Sequence, residues 1–353
     1  MAPNNWTRTT APRRPAVPLE PVADPAGWSA AEDANTEEWI YHLSDGEIAE
    51  LLDAVSGVES RGLDIMDVAR DDFPLPTLAP ALAEIRVELL DGRGYVMVRG
   101  LPIAEMTPAQ AGAALWGIGL YLGRAVSQNA DGHLLGHVKD LGGDYADPLT
   151  RGYQTKAAMG FHADPCDFVA LLCLRPAESG GASRIVSSIT LYNEMLKRRP
   201  DLVKELLWTF YWSRIGEIAP DKDPWYRMSV FSFQDGYLSV RGVSNTIFKS
   251  QTIPGVPKFT AAQVEAFELF RTLADELSMD MDFRHGDIQF LMNHVTLHTR
   301  RPYEDSDDFD RKRHLFRLWL ITDGARPLPP EFVDQLEGVQ VAGTVLKAPL
   351  DAI

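Results

Sequence analysis

The chain has 353 residues, 45% hydrophobic and 24% charged, which is ordinary for a globular protein and enough for one large domain or two. Its 34 basic and 50 acidic residues leave a net charge of −16, which argues against nucleic acid or an anionic membrane surface as partner. No apolar run approaches the roughly 18 residues of a membrane helix, and no apolar segment follows Arg8, Arg13 and Arg14 to make a secretory signal.

Residues 1–34, with Pro3, Pro12, Pro15, Pro18, Pro21 and Pro25, read as an extended or disordered arm. Residues 35–335 read as one domain, mostly helical over 35–125 and β-rich with inserted helices over 126–325, and 336–353 as a tail. Helices are predicted over 36–42 and over 44–58, the second with Ser44 as N-cap and Glu47 three residues on. Two more are predicted over 76–90 and, opened by Thr107-Pro108, over 107–122. Between them, 94–100 alternates as a strand bounded by glycines.

Further strands are predicted over 168–174, 183–188, 287–292 and 315–321, with one long helix over 260–278. The segments 229–233 and 237–241 flank Gln234-Asp235-Gly236 and predict a hairpin. Many short strands with turn signals point to an α+β, mainly β chain built on a sandwich or barrel, not to a parallel α/β sheet. Cys166 and Cys173 form neither a CxxC zinc pair nor a disulfide framework, so a reducing cytoplasm is the expected compartment.

Phe161-His162-Ala163-Asp164 carries the chemistry. On a strand, residues two apart share a face, so His162 and Asp164 would project together. That is two-thirds of the facial triad that holds non-haem Fe(II) and leaves the other coordination positions open. An isolated HxD is a weak signal. The candidate third ligand is His298, in Asn293-His294-Val295-Thr296-Leu297-His298-Thr299-Arg300. On the strand after it, period 2 puts Arg313, Leu315, Arg317 and Trp319 on one face and His314, Phe316, Leu318 and Leu320 on the other. Two arginines turned into a packed sheet each need an anion.

In order, FHAD at 161–164, Gly180-Gly181-Ala182-Ser183, Gly286-Asp287-Ile288-Gln289-Phe290 leading to Leu297-His298-Thr299-Arg300, and Arg313-His314-Leu315-Phe316-Arg317 resemble the Fe(II)/2-oxoglutarate-dependent dioxygenases of the taurine dioxygenase and clavaminate synthase type. The resemblance spans about residues 89–320. It implies a double-stranded β-helix (jelly roll) with flanking N-terminal helices and an inserted helix. It also implies His162, Asp164 and His298 as Fe(II) ligands. Arg313 matches the arginine that holds the distal carboxylate of 2-oxoglutarate. Ser183 matches the assisting hydroxyl, where the family often has Thr. Arg317 matches a position that in relatives faces the primary substrate. The implied activity uses O2 to oxidise, most commonly to hydroxylate, an unactivated C–H bond of a small molecule, with release of succinate and CO2. An amino acid or a secondary-metabolite intermediate is the expected substrate. Desaturation and oxidative cyclisation are the alternatives within the class. Asp164 argues against halogenation, since related halogenases lack that carboxylate. A zinc hydrolase or lyase on the same ligands and a non-catalytic binding protein compete with this reading. A homo-oligomer is left open.

Other residues have blander expectations. Gln154 and Thr155, before the FHAD segment, are candidates for the substrate cavity. Arg241 is expected as a solvated edge residue, with a substrate contact as the alternative. Trp225, Tyr226 and Arg227 are expected in a loop that covers the site or packs. Cys166 and His294 are expected to be structural, as are His42, His285 and His314. His133 and His137 belong near or on a strand, because Gly132 and Gly136 argue against a helical metal pair. The acid run at 304–310 reads as a solvated turn, without EF-hand spacing.

Overall fold

A computed structural model describes residues 5–143, 150–156, 158–336 and 338–350. The early strands are β1 (Ile40–His42), β2 (Tyr95–Arg99), β3 (Arg124–Ala125), β4 (Leu135–Val138) and β5 (Phe168–Arg175). Next come β6 (Ser179–Gly180), β7 (Ser183–Ser187), β8 (Thr209–Ser213), β9 (Trp225–Ser229), β10 (Phe231–Gln234) and β11 (Tyr237–Val240). The last are β12 (Met279–Met281), β13 (Ile288–Met292), β14 (Thr296–Arg300), β15 (Tyr303–Glu304) and β16 (His314–Ile321).

A seven-stranded sheet runs β1-β2-β13-β5-β16-β3, with β4 also paired to β16. All its pairs are antiparallel except β1 with β2. A three-stranded sheet runs β12-β7-β14, and His162 extends it through isolated bridges to His298 and Gly242. Alternation along the strands divides the interior. Phe168, Ala170 and Leu172 of β5, with Phe316, Leu318 and Leu320 of β16, join the core that includes the N-terminal helices. Val169, Leu171 and Cys173, with Leu315 and Trp319, face the other way and pack in one core with Ile185, Met279 and Met281 of the smaller sheet. Arg313 and Arg317 belong to this second side, as period 2 requires.

The N-terminal helices form where caps and apolar spacing agree. Asp45–Arg61 starts on a complete Ser44–Glu47 capping box and ends on Gly62 at φ 62°, and Pro108–Gly119 starts on a Thr107–Gln110 box. The predicted helix over 36–42 does not form. Trp39, Ile40 and Tyr41 are aromatic or β-branched, and pairing β1 beside β2 buries Trp39 and Ile40 against Tyr95. The N-terminal arm is extended up to the one-turn helix Ala30–Asp33, and it packs: Val22, Ala26 and Trp28 are buried. Asp24 in the arm bridges Arg13 at 3.0 Å and Arg326 at 2.9 Å. The hairpin at Asp235-Gly236 forms, both turn residues having positive φ. Trp225, Tyr226 and Arg227 lie on β9, paired with β8, and not in a loop, because Tyr226 and Trp225 pack beside aromatic partners on that hairpin.

Candidate active site

His162, Asp164 and His298 each offer a ligand atom, and the three atoms lie within 4.8 Å of one another. His298 sits on β14. His162 and Asp164 were expected on one strand, but His162 makes only isolated bridges and Asp164 lies beyond them in irregular backbone. Two backbone bonds, His162 N–H to the His298 carbonyl at 3.0 Å and the reverse at 2.9 Å, hold the histidines side by side. Their ring centroids are 4.3 Å apart. The Asp164 backbone N–H donates to Asn293 Oδ1 at 3.0 Å, which fixes the carboxylate's segment.

The electrostatics fit a divalent cation. His162 Nδ1 lies 3.0 Å from the Gly160 carbonyl, which can only accept, so Nε2 is left with its lone pair. Burial lowers the pKa of both imidazoles and, with His162 adjacent, brings His298 to about 3. Burial works to raise the Asp164 carboxyl, but Arg317, His298 and His162 outweigh it and hold it at about 2. Asp164 Oδ2 is buried with no hydrogen-bond partner. The result is two neutral imidazoles and one carboxylate, the donor set that suits non-haem iron.

Arg313 directly precedes β16, with its backbone N–H donating to Asp305 at 2.8 Å. Its Nη1 is buried without a hydrogen-bond partner, and so is the Tyr303 hydroxyl beside it. Burial and the neighbouring Arg300 bring the Arg313 guanidinium down to about 10. Gly181, at φ 69°, keeps this corner open: a Cβ there would stand 3.5 Å from Arg313 Nε and 3.2 Å from Tyr303 Cβ. Ser183, on β7, is buried, and its hydroxyl meets the Gln289 amide at 3.0 and 3.2 Å. Asp305 takes the Arg313 backbone N–H, but among the described residues no carboxylate pairs with the Arg313 guanidinium, so the corner offers buried donors that fit a carboxylate-bearing ligand.

Arg317 projects from β16 toward the triad. Its Nη1 is 3.7 Å from Asp164 Oδ2, and its Nε donates to Gln128 Oε1 at 2.7 Å. A cavity of about 440 Å³ opens on His162, Asp164 and Arg317. Gln154 and Thr155 are not among its lining residues; Arg151 and Tyr153 are. The reason is local. Gly152–Gln154 is a 3₁₀ turn without a strand's alternation, and Thr155 is buried with its hydroxyl on the Gly152 carbonyl at 3.0 Å. Its carbonyl accepts from Arg300 at 2.9 Å, so Thr155 supports the Arg313 corner. Arg241 lines the cavity and is no edge residue: its Nη1 reaches the Ala163 carbonyl between two of the triad residues. Arg300 and Tyr303 escaped the sequence reading. Arg300 had a signal, lying two residues beyond His298 on the same strand; Tyr303 had none.

Three other histidines have polar side-chain partners. His294 Nε2 meets Asp167 Oδ1 at 2.8 Å, and His137, on β4, pairs with His314 at 2.8 Å. Cys166 is buried, accepting from Asn293 at 3.1 Å.

The family model described as "Taurine catabolism dioxygenase TauD, TfdA family" matches residues 59–319. FR-33289 synthase of Streptomyces rubellomurinus is 32% identical over 92% of this chain and 97% of its own. A taurine hydroxylase-like protein of Stachybotrys chartarum is 29% identical over 87% and 82%. Among solved structures, an asparagine oxygenase complexed with Fe(II), 3-hydroxyasparagine and succinate superimposes with a TM-score of 0.62 at 19% identity, covering 80% of this chain and 94% of that one. The non-haem iron oxygenase OrfP with Fe and α-ketoglutaric acid does so with a TM-score of 0.58 at 15% identity, with the same coverage. The triad and its arginine corner therefore stand in a chain that belongs to the TauD, TfdA dioxygenase family, an enzyme of the 2-oxoglutarate-dependent non-haem iron class.

Proposed function

We propose that His162, Asp164 and His298 hold Fe(II), that Arg313 and Ser183 hold the distal carboxylate of 2-oxoglutarate, and that the enzyme hydroxylates a small molecule seated against Arg317. The observation that carries this reading is the juxtaposition of a buried His-Asp-His cluster with a buried guanidinium that has no carboxylate partner among the described residues. The bound iron, with 2-oxoglutarate and O2, supplies the oxidising power, and succinate and CO2 are the by-products.

The chain's own residues do the positioning. Gly160 sets the His162 tautomer. Arg317 lies beside the Asp164 carboxylate and lines the cavity, where it can meet an anionic group of the substrate. Gln128 orients Arg317 by taking its Nε–H and donating to the Leu134 carbonyl at 2.9 Å. Tyr303 joins the set as a further donor beside Arg313. A relative named as a synthase and a structural neighbour named as an asparagine oxygenase support an amino acid or secondary-metabolite intermediate as substrate. The two sheets, with His162 bridging onto the smaller one, are read as the walls of a double-stranded β-helix. Two buried free thiols fit a reducing compartment, the cytoplasm.

An anaerobic titration of the metal-free chain with Fe(II) and 2-oxoglutarate tests the reading. A visible charge-transfer band is expected, weakened in Arg313→Ala. Bound iron with no band would remove 2-oxoglutarate from the account.

A further inference from the structure

In a chain of net charge −16, the cavity is lined by Arg151, Arg214, Lys222, Arg241, Lys249 and Arg317. Among the described lining residues the carboxylates are Asp164 and Glu217, and Glu217 is taken by Arg151. Arg214 and Arg241 have neutral partners. Arg214 Nε donates to the Asp223 carbonyl at 3.1 Å, and its Nη1 lies 3.4 Å from Gln335 Oε1. Arg241 donates to the Ala163 carbonyl and, at 3.3 Å, to the Tyr226 hydroxyl. Its Nε is buried without a hydrogen-bond partner.

Both guanidinium groups converge on Tyr226. Arg214 lies 5.3 Å from the centre of its ring, and Arg241 bonds its hydroxyl. Tyr226 is held by its place opposite Trp212 on the β8–β9 hairpin, the two rings near-parallel at 6.3 Å. Trp212 is itself fixed, its indole N–H on the Met228 carbonyl at 2.9 Å. Two partly desolvated cations share one neutral side chain on a rigid hairpin, with no carboxylate paired to either among the described residues. Like charges held together in this way need a counter-charge to be favourable.

We propose that Arg214 and Arg241, bridged by Tyr226, form a second anion site in the cavity, and that the substrate brings to it a doubly charged phosphoryl-type group. Two guanidinium groups with no carboxylate partner among the described residues match a dianion with several acceptor oxygens better than a single carboxylate. The surrounding positive field also explains how a strongly acidic protein draws an anionic substrate into this mouth. The inference rests on the oxygenase reading for the word substrate, but anion binding can be measured apart from turnover.

The test is calorimetric titration of the full chain, loaded anaerobically with Fe(II) and saturating 2-oxoglutarate, with inorganic phosphate, sulfate and acetate. Occupied Arg313 cannot then capture the probe. Phosphate is expected to bind most tightly and acetate most weakly. Arg214→Gln and Arg241→Gln are each expected to weaken phosphate at least tenfold, with Arg241→Lys restoring most of the loss. If both variants bind phosphate as the unaltered chain does, if Arg317→Gln alone abolishes binding, or if phosphate fails to bind a chain that forms the chelate band, the site is overturned. Absence of the chelate band instead overturns the oxygenase reading, and the same phosphate titration of the metal-free chain then still decides the anion site.

Discussion

The two sides of the cavity are built by different means. On one side His298 and Ser183 sit on β14 and β7, paired in register, Arg317 sits on β16, which is paired along its length with β5, and Arg313 directly precedes β16. Cross-strand bonds fix His298, Ser183 and Arg317, side-chain acceptors fix the backbone N–H groups of Asp164 and Arg313, and this side keeps buried atoms without a hydrogen bond: Asp164 Oδ2, Arg313 Nη1 and the Tyr303 hydroxyl. On the other side Arg151 precedes a 3₁₀ turn, Arg214 follows the end of β8, and Val333 and Gln335 come from the short helix Pro330–Leu336. There the polar groups are mostly satisfied by nearby carbonyls and amides. Ile215, next to Arg214, has φ 56°, a conformation that β-branched residues rarely adopt. The strand side can hold a fixed constellation of charges against its own desolvation. The loop side can change its residues without disturbing the sheets, which is where selectivity is expected to be set.

The strongest way to break this contrast is at the triad. Asp164→Ala should abolish Fe(II) binding while the chain stays folded, read as metal content after gel filtration. One iron retained per chain would remove Asp164 from the ligand set. Arg313→Gln comes next. Deleting one partner of a buried charge pair costs about 3–5 kcal/mol, so 2-oxoglutarate should bind on the order of a hundredfold or more weakly. Titration of the chelate band checks this, and an unchanged midpoint would assign the distal carboxylate elsewhere.

Glu217→Gln sharpens the contrast from the loop side. It removes the carboxylate that holds Arg151, and the pair spans two irregular segments. The two side chains are only 19% and 14% exposed, so stability should fall by about 3 kcal/mol, less than for a fully buried pair because the glutamine still accepts hydrogen bonds, with the chelate band unaltered. Phosphate affinity should rise severalfold, because Arg151 then lacks a competing carboxylate. A fall in thermal midpoint well beyond that loss would show that the loop wall is part of the frame.

The same contrast explains what the sequence discloses. The strand side is legible because period 2 is a strict rule: it sorts Arg313 and Arg317 from His314 and Phe316, and β16 obeys it despite a register shift between His314 and Leu315. The capping boxes at Ser44 and Thr107 and the Asp235-Gly236 turn are legible for similar local reasons. His162 and Asp164 converge although the strand assumed for them does not form, since a segment held by two bridges at His162 gives nearly the same projection. The loop side obeys no period. Proximity to the FHAD segment alone makes Gln154 and Thr155 cavity candidates, but a 3₁₀ turn ending at Gln154 turns them elsewhere, and Arg241 reads as an edge because its partners, Ala163 and Tyr226, are remote in the chain. β1 was hidden for a related reason: its pairing with β2 depends on a partner more than fifty residues on.

The smallest effect concerns the face of β16 opposite the site. His314 Nε2 meets His137 Nδ1 at 2.8 Å, and His137 Nε2 meets the Pro349 carbonyl at 2.8 Å. Because that carbonyl only accepts, His137 carries its proton on Nε2, and His314 must donate to His137 Nδ1. Burial, then His137, Lys139, Arg175 and Arg313, bring His314 to about 3. An unfolded histidine titrates near 6.5, so between these values the unfolded chain binds the extra proton and stability rises with pH. The contribution is therefore complete above about pH 6.5 and is lost as pH falls toward 3, amounting to about 2 kcal/mol by pH 5. For a chain of this length that corresponds to about 3 °C in the thermal midpoint. His314→Gln keeps a donor toward His137 but does not titrate, so its midpoint should fall less than that of the unaltered chain between pH 7 and pH 5. Equal slopes would mean that the pair relaxes on protonation and that the tail at Pro349 does not depend on it.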